Sequence, residues 1–453
     1  MDGEPLPQPL FSLLSNAAQE VSLQSEVVVL SHYDADGISA AGILCNALLR
    51  ANKRLHLTLV KSLDDATIKE VGEVAKCLIL ADMGSGNLPA LEALGAKVVV
   101  LDHHKTVGDS TKVLHINPHL FGIEGMTSGC AGAVSMLFAL AMDERNWDLL
   151  PIAFAGIIGD RQHIRGLSGI NLYLLQNGLQ RKLVEVRPGS LLPEGKLAES
   201  LADCNDPYMI GVSGDLEGAK ALLREAKIPE DSSLEQLSEN QRRALSSLVA
   251  LHLLKQGCTT SALEELIAER YFFPSWNLYG EDLAQLLNAC GRTDKEGIGV
   301  ALTLRDAKAL SAAEGLRRQY KDAIISAMKA IIKKGVTRMQ NIQWFESTNT
   351  SLSGVLAGLT MQFVGDCDKP TITLSIHHDV IRVSSRASFR ILEKGVDLAV
   401  ALREAAQSVG GVGGGHAVAS GATIPKGKET EFLARLDSIV GEQKAEKAAL
   451  KPI

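Results

Sequence analysis

Short apolar runs alternate with longer amphipathic stretches through the first 215 residues of the chain. Four runs rich in β-branched and aliphatic residues predict strands, at residues 27–30, 55–60, 77–82 and 97–102. Residues 38–52 and 64–75 have the spacing of helices. A further helix is expected to begin after the capping pair Thr127 and Ser128 and to run to about Met142. This alternation predicts an α/β fold with a doubly wound parallel sheet.

The pattern changes at about residue 215, where the chain becomes helical and charged without strand signals as far as about residue 292. Residues 306–334 then place apolar side chains, from Ala307 to Ile331, at spacings of three and four, which predicts a long amphipathic helix. Short apolar runs return at residues 371–376 and 380–385. We therefore expect a parallel-sheet domain, a helical insertion, a connecting helix and a smaller α/β domain, at residues 1–214, 215–305, 306–335 and 336–453 respectively.

Composition places the chain among ordinary globular proteins of the cytoplasm. Charged residues make up 22% and hydrophobic residues 46% of the 453 positions, and no apolar run reaches the length of a membrane span. The acidic, proline-containing N-terminus does not resemble a secretory signal. The seven cysteines are scattered and never form a CxxC pair, which favours reduced thiols and argues against a zinc site.

The net charge of −7 does not settle the partner. Nucleic-acid-binding proteins are often basic, and this chain is not. An acidic balance is nevertheless compatible with clustered carboxylates that hold cations, together with a local basic patch. Arg382, Arg386 and Arg390 could form such a patch, and phosphate binding requires positive charge of this kind. Aromatic residues make up only 4% of the chain, so extensive base stacking is not expected.

Acidic and histidine residues end four of the apolar runs. The runs end at His32, Asp34 and Asp36, at Asp82, at Asp102, His103 and His104, and at Asp160. In a doubly wound sheet, ligands bind beyond the carboxyl ends of the strands. If each of these runs is a strand, all four polar clusters lie at the same crevice.

Carboxylates and imidazoles without thiolates suit manganese, whereas magnesium, cobalt and zinc fit less well. Ligands are sufficient for two ions, which in such sites lie about 3.5–4 Å apart and share a carboxylate. Without cations, carboxylates this close would repel one another and their pKa values would rise. A DxDG motif or an HH pair alone is weak evidence for a site. Four polar clusters in order, each at the end of an apolar run, predict a metal centre.

These motifs resemble those of the DHH phosphoesterase superfamily, whose name matches residues 102–104. The first motif of that superfamily matches residues 32–37 (HYDADG), its second matches Asp82 and its fourth matches Asp160. The C-terminal segment resembles the DHH-associated domain through residues 384–386 (SSR) and 413–421 (GGGHAVASG). Within the superfamily, residues 286–294 and the helical insertion before them make the chain most similar to archaeal RecJ-type exonucleases.

The resemblance implies a set of site residues. It implies that two Mn²⁺ ions, for which Mg²⁺ or Co²⁺ could substitute, are held by His32, Asp34, Asp36, Asp82, His103 and Asp160. It implies that Asp82 bridges the ions, that Asp102 orients the imidazoles and that His104 lies against the scissile phosphate. It further implies a substrate-binding set at Ser385, Arg386, Gly413, Gly414, Gly415 and His416, where exposed backbone N–H groups could cradle a phosphate.

Three further motifs have simpler interpretations. Residues 377–379 (HHD) imitate the catalytic triplet but lie between two short strands, which predicts a solvated turn. Residues 128–132 (SGCAG) imitate a nucleophile elbow, but no strand precedes them, so helix capping is the better interpretation. Asn288 and Arg292 could be structural or could contact the substrate, and the sequence leaves both alternatives open.

The resemblance implies a manganese-dependent exonuclease that hydrolyses single-stranded DNA, or RNA, to mononucleotides in replication or repair. The alternative enzymes are a 3′–5′ helicase-associated nuclease and a short-oligonucleotide phosphodiesterase. The alternative without catalysis is a replication scaffold that binds the GINS complex, because the eukaryotic Cdc-type helicase subunit resembles RecJ but has lost metal ligands. Every ligand position is filled here, which favours catalysis. The expected partners are single-stranded nucleic acid and either GINS or a repair helicase, with no membrane.

Overall fold

The predicted parallel sheet forms the centre of the first of two units. The structure, a computed structural model, describes residues 5–106, 108–164 and 166–449. One unit consists of Met1–Gly189 with Ala268–Tyr320 (unit 1), and the other consists of Ser190–Ile267 with Lys321–Ile453 (unit 2). Among the described residues, no helix combines the length and the apolar character that crossing a bilayer requires.

The sheet of unit 1 has parallel strands in the order β2-β1-β3-β4-β5. These strands are β1 (Glu26–His32), β2 (Arg54–Val60), β3 (Cys77–Ala81), β4 (Lys97–Leu101) and β5 (Leu114–Ile116). Alternate residues of β1, β3 and β4 belong to apolar cores on opposite faces of the sheet, so both faces are covered. The strand order reverses between β1 and β3, and ligands bind at such a switch point in doubly wound sheets.

Helices surround this sheet. The helices of unit 1 are Gln8–Ser22, Ala35–Arg50, Asp65–Val74, Leu88–Glu92, Gly125–Ser128, Ala131–Met142, Leu150–Gly159, Gly169–Gln180, Gly280–Arg292 and Glu296–Thr303. Short 3-10 helices occur at Pro118–Phe121 and Glu144–Leu149. The helix Ala309–Lys334 begins in unit 1 and ends in unit 2. The α/β fold class is confirmed.

Three details of the sequence prediction for unit 1 are wrong. Residues 155–160 do not form a strand, because the apolar run belongs to the helix Leu150–Gly159. A short, fully buried apolar run does not show by its periodicity whether it is a strand or a helix. Thr127 and Ser128 do not cap the next helix, which begins at Ala131.

The third error concerns the segment expected to lack strands. A small antiparallel sheet contains β6 (Glu185–Arg187), β7 (Arg270–Phe273) and β8 (Leu278–Tyr279). In β7, Tyr271 and Phe273 are buried in the core of unit 1, whereas their neighbours are only partly buried. Strands of two to four residues are too short for this alternation to be recognised in the sequence.

Unit 2 contains a sheet in the order β13-β14-β12-β11-β10-β9. Its strands are β9 (Thr337–Arg338), β10 (Gln343–Glu346), β11 (Thr371–His377), β12 (Val380–Arg386), β13 (Val412–His416) and β14 (Ala419–Pro425). The helices of unit 2 are Leu197–Ala202, Leu216–Glu225, Glu239–Lys255, Thr260–Leu266, Ser353–Leu359, Phe389–Glu393, Leu398–Ser408 and Glu429–Ala449. A 3-10 helix at Leu234–Gln236 and a π-helical turn at Thr360–Val364 complete the set.

Two C-terminal motifs have definite positions in this sheet. His377 ends β11, and residues 378 and 379 form the predicted turn to β12, with His378 in the left-handed region at φ 53°. The glycine-rich residues 413–421 are not a loop, because most of them lie in the hairpin of β13 and β14. Glycine is tolerated there because both strands pair in register along their length.

Two glycines let the helices of unit 1 pack close to Asp36, at the start of the helix Ala35–Arg50. A Cβ atom added to Gly132 would lie 3.0 Å from Oδ1 of Asp36, and one added to Gly156 would lie 2.4 Å from the same oxygen. Because Asp36 is fully buried, it has little room to move away. Close packing at this point therefore requires residues without a side chain.

We predict that Gly156→Ala destabilises the protein even though alanine favours helix by about 1 kcal/mol relative to glycine. Overpacking of a buried contact costs about 1–3 kcal/mol, which exceeds the gain in helix propensity. The control is Gly315→Ala, in the interior of the helix Ala309–Lys334, where an added Cβ has nothing within 4 Å. Gly315→Ala should raise the unfolding midpoint in a denaturant titration and Gly156→Ala should lower it. Equal stabilisation by both substitutions would contradict the packing argument.

Candidate metal centre

The turn between β1 and the next helix carries the first three predicted ligands. His32 is the last residue of β1, and Asp34 caps the helix Ala35–Arg50 by accepting the backbone N–H of Gly37 at 3.1 Å. Asp36 lies in the first turn of this helix. The helix cap therefore holds the chain in the conformation that places these residues at the switch point of the sheet.

Asp82 lies between two groups of ligands. Its Oδ2 atom is 3.3 Å from Nδ1 of His32, which is also 3.0 Å from Oδ2 of Asp34. Its Oδ1 atom is 3.3 Å from Nε2 of His103. The first group is thus His32, Asp34 and Asp82, and its ligand atoms all lie within 4.8 Å of one another. One carboxylate that faces both groups has the arrangement of a bridging ligand.

The second group is Asp36, His103 and Asp160, whose ligand atoms also lie within 4.8 Å of one another. Nε2 of His103 is 3.7 Å from Oδ2 of Asp36 and 3.3 Å from Oδ2 of Asp160. The structure therefore brings all six predicted ligands together. Their elements differ from the prediction in one respect, because Asp160 follows the C-terminus of a helix and not the end of a strand.

The carboxylate of Asp36 replaces the missing side-chain cap of the helix Ala131–Met142. Its Oδ2 accepts the N–H of Ala131 and its Oδ1 accepts the N–H of Gly132, each at 2.8 Å. These backbone donors and the positive end of the helix dipole stabilise a buried negative charge and fix its direction. Asp36, which is distant in the sequence, thus performs the capping role that the local sequence suggested for Thr127 and Ser128.

The carboxylates repel one another at this distance. Burial and the negative charges of Asp160 and Asp82 raise the pKa of Asp36 well above its ordinary value. Burial raises the pKa of Asp160 to about 6, with His103 opposing the rise and Asp82 adding to it. Oxygen and imidazole donors that are crowded in this way fit hard or borderline divalent cations, and Mn²⁺ suits the mixture. The residues present therefore fit a pair of such ions.

Hydrogen bonding determines which nitrogen of His103 faces the carboxylates. Its Nδ1–H donates to the backbone carbonyl of Gly125 at 2.9 Å, so Nε2 keeps a lone pair for a cation. The amide of Gln162 donates to the same carbonyl at 2.9 Å. Gln162, which is buried, therefore helps to hold the loop that orients His103, and the sequence offered no signal of this role.

Asp102 is not part of either group. Its Oδ1 accepts the ring Nδ1–H of His104 at 2.8 Å, and its Oδ2 accepts the N–H of Ser85 at 2.9 Å. Burial opposes ionisation of Asp102, but the hydrogen bond and charge of His104 lower its pKa below the ordinary value. The side chain of His104 is 41% exposed, and its other nitrogen, Nε2, lies on the edge of the ring away from Asp102. These contacts match the orienting role implied for Asp102.

Arg292 approaches the first ligand group. Its guanidinium donates to the Tyr33 hydroxyl at 2.6 Å. Burial opposes ionisation of Asp34, but the charge of His32, and after it that of Arg292, lowers the pKa of Asp34. Tyr33, between two predicted ligands, also lies 5.8 Å from the Lys61 ammonium, measured to the ring centroid. Of the two residues left open by the sequence, Arg292 thus lies beside the site. Tyr33 and Lys61 were missed, and only the position of Tyr33 within the motif could have indicated it.

In unit 2, strand register divides the predicted substrate-binding residues between two faces of the sheet. Arg386 pairs with Ala419, and Ala419 pairs with His416, so these three side chains share one face. Gly414 lies on the same face as His416, two positions along β13. A Cβ added to Gly354 would lie 2.6 Å from the Arg386 guanidinium, so that glycine, which the sequence did not indicate, leaves room for it.

The other predicted residues face away from this row. Ser385 is fully buried, and its hydroxyl donates to the carbonyl of Ser420 at 2.9 Å, which is a structural role. Gly413 and Gly415 alternate with Gly414 and therefore point to the opposite face. Among the predicted arginines, Arg390 forms an ion pair at 3.2 Å with Asp368, a carboxylate that also pairs with Lys394 at 2.8 Å.

Family models match both the N-terminal and the C-terminal part of the chain. The model of the DHH family, N-terminal domain, matches residues 26–157, and the model of the DHHA1 domain matches residues 345–442. The uncharacterized protein MJ0831 of Methanocaldococcus jannaschii is 31% identical over 425 residues, which are 92% of this chain and 93% of that protein.

Solved structures show the fold. RecJ from Thermus thermophilus in complex with Mn²⁺ has a TM-score of 0.61 at 17% identity, and the match covers 97% of this chain and 56% of RecJ. The chain thus spans little more than half the length of that RecJ. CDC45 from Entamoeba histolytica has a TM-score of 0.62 at 12% identity, covering 96% of this chain and 98% of CDC45. The chain belongs to the DHH family and has its DHH and DHHA1 domains in a RecJ-like fold.

Proposed function

We propose that this metal-dependent DHH-family hydrolase is a manganese-dependent exonuclease that cleaves single-stranded DNA, or RNA, to mononucleotides. The observation that carries the proposal is the position of Asp82, whose two oxygens face two separate groups of carboxylate and imidazole ligands. Sites with two metal ions and a shared carboxylate are suited to in-line displacement at phosphorus. Two imidazoles among the ligands favour Mn²⁺, or Co²⁺, over Mg²⁺, which prefers oxygen.

The residues of the chain have separate tasks in this reaction. When bound, the two cations would lower the pKa of water and stabilise charge on the phosphoryl oxygens. His104, held through Nδ1 by Asp102, presents Nε2 to the scissile phosphate. Arg292 supplies positive charge close to Asp34. Arg386 and His416, on one face of the C-terminal sheet, bind phosphates of the strand.

The alternatives differ in substrate and not in the metal centre. A short-oligonucleotide phosphodiesterase and a 3′–5′ helicase-associated nuclease would use the same ligands. A scaffold without catalysis is disfavoured, because all six ligand positions are filled and their side chains converge. Single-stranded nucleic acid is the proposed substrate, and GINS or a repair helicase is the proposed protein partner. The fold similarity to CDC45 is compatible with a replication partner and does not identify one.

We predict that Asp82→Asn lowers the single-turnover rate on end-labelled oligonucleotides with Mn²⁺ by more than about 100-fold. This exceeds the loss of about 10–100-fold typical of residues that only support ligands. DNA and RNA labelled at either end should be tested, with excess EDTA abolishing cleavage and Mn²⁺ restoring it. Asp148→Asn, at an exposed ion pair with Arg50, is the control and should cleave normally. Full activity in excess EDTA would overturn the proposal.

Arg386→Ala and His416→Ala should chiefly weaken binding, because phosphate contacts dominate affinity for nucleic acid. The expected result is a higher KM and a smaller dependence of affinity on salt, with a modest change in the single-turnover rate at saturation. Arg390→Ala is the matched control, because Arg390 lies on the helix Phe389–Glu393, outside the row of Arg386 and His416, and contacts Asp368. If the two variants bind normally and are as inactive as Asp82→Asn, the proposed division between binding and chemistry is wrong.

Mn²⁺ affinity should fall as the pH is lowered. The pKa of Asp160 is raised to about 6, so below that pH the carboxyl holds a proton that Mn²⁺ must displace. The protons on His32 and His103, whose pKa values are raised by neighbouring carboxylates against the effect of burial, act in the same direction. Titration of free Mn²⁺ by electron paramagnetic resonance between about pH 5 and 8 measures this trend. Asp160→Asn should make the fall in Mn²⁺ affinity less steep below about pH 6. A wild-type Mn²⁺ affinity that does not change with pH would contradict the prediction.

A further inference from the structure

Ser85 connects three loops that follow neighbouring strands of unit 1. It lies beyond β3, and its backbone N–H donates to Oδ2 of Asp102, beyond β4, at 2.9 Å. Its hydroxyl oxygen is 2.8 Å from Nδ2 of Asn117 and 2.9 Å from Nε2 of His115, both near the end of β5. Ser85 and Asn117 have no exposed surface, and His115 is 1% exposed. Buried polar groups of this kind must be paired with one another.

The donors and acceptors determine the direction of each hydrogen bond. The amide nitrogen of Asn117 donates to Oγ of Ser85 and, at 2.9 Å, to the carbonyl of His104. Its amide oxygen accepts the N–H of His119 at 3.0 Å, so the amide cannot be flipped without losing these bonds. Oγ of Ser85 is thus an acceptor from Asn117, and its own hydrogen is directed at Nε2 of His115.

This arrangement specifies the tautomer of His115. Because Nε2 accepts a hydrogen, the neutral ring carries its hydrogen on Nδ1, which lies 3.6 Å from Oδ1 of Asp109, outside hydrogen-bonding distance. The opposite tautomer would direct two donors at Oγ of Ser85. Within the part of the chain that the structure describes, the hydroxyl hydrogen would then have no acceptor at hydrogen-bonding distance.

We propose that Ser85, His115 and Asn117 are positioning residues for His104. Asn117 holds the backbone carbonyl of His104, while Ser85 holds Asp102, which in turn holds the imidazole. The residue is therefore fixed at both its main chain and its ring. This inference rests on the proposed function, in which His104 faces the scissile phosphate. Without the three supporting groups, the ring remains present but loses its orientation relative to the metal ligands.

The same connections relate His104 to Asp82. Asp82 and Ser85 belong to one loop, in which Asp82 and Gly84 have φ angles of 60° and 112°. The Nδ1 atom of His104 is 3.9 Å from Oδ1 of Asp82. A loop in this conformation is held by its surroundings, and Ser85 supplies hydrogen bonds on both its backbone and its side chain. Displacement of Ser85 should therefore alter the spacing between His104 and the bridging carboxylate.

Asn117→Asp is the most specific test, because the two side chains have nearly the same shape. The variant keeps the oxygen that accepts the N–H of His119, but it presents a second oxygen to Oγ of Ser85 and to the His104 carbonyl. The single-turnover rate at saturating oligonucleotide should fall about 10–100-fold with little change in KM or Mn²⁺ affinity. His115→Gln, which retains a hydrogen-bond acceptor, should have a single-turnover rate closer to that of the wild-type protein than His115→Leu has.

A double-mutant cycle tests whether the effect passes through His104. In a His104→Ala background, Asn117→Asp should change the rate by less than about 3-fold, because there is no ring left to orient. Ser85→Ala should also lower the rate, because it removes the hydroxyl that pairs with Asn117 and His115. Its control is Ser213→Ala, which removes a buried serine hydroxyl in unit 2 that accepts the N–H of Met209 at 2.9 Å. It should leave the rate of folded protein unchanged. Additive effects of Asn117→Asp and His104→Ala, or parallel losses of rate and Mn²⁺ affinity, would overturn the proposal.

Nitrogen NMR of the histidine rings supplies a readout without catalysis. In ¹⁵N-histidine-labelled protein loaded with Mg²⁺, His115 should carry its hydrogen on Nδ1 with Nε2 as an acceptor, and His104 should carry a hydrogen on Nδ1. The His115→Gln and His104→Ala variants assign the two signals, and Asn117→Asp should change that of His104. A His115 hydrogen on Nε2 would refute the positioning network. If the wild-type protein shows these expected histidine signals but does not cleave oligonucleotides with Mn²⁺, the proposed function is refuted and the positioning network is not.

Discussion

Mutual repulsion among buried carboxylates is the constraint on which the rest of this structure depends. Asp36, Asp82 and Asp160 converge on His103, and each would be more stable apart from the others in the absence of cations. The fold opposes this repulsion by placing the imidazole of His103 among all three carboxylates and by supporting Asp36 separately. Asp36 has the N-terminus of a helix, and glycines leave space beside it. Divalent cations bound among these carboxylates would relieve the repulsion and so couple the stability of the fold to the metal centre.

The topology explains why such a cluster can be assembled from distant parts of the chain. Parallel strands present their carboxyl ends at one edge, and the reversal of strand order between β1 and β3 opens a crevice there. His32 and Asp82 follow these two strands, and Asp102 to His104 follow β4. The backbone supplies rigid positions, while hydrogen bonds that the two imidazoles donate to the Gly125 carbonyl and the Asp102 carboxylate orient the rings. The proposed function therefore assigns chemistry and positioning to different residues at the same edge.

The C-terminal sheet uses the opposite strategy. Strand pairing places Arg386 and His416 in one row on a face of this sheet. In the proposed function, Arg386 supplies local positive charge in a chain whose net charge is −7. A protein that holds cations with carboxylates in one unit can still bind a polyanion through another, so the overall acidity is not evidence against nucleic acid.

The sequence alone determined the α/β class and the strands β1 to β4, because hydrophobic period is a local signal. The six residues that meet at the candidate site were implied by the resemblance of the motifs to a known family, and the structure brings them together. It did not determine that Asp160 follows a helix, since a fully buried helix and a buried strand have the same apolar sequence. Strand register decided that Ser385 and Gly413 face away from Arg386. Long-range contacts decided that Asp36 caps a helix 95 residues away and that Ser85 meets Asn117. Such contacts depend on which distant segments fold against each other, and that information is absent from any local pattern.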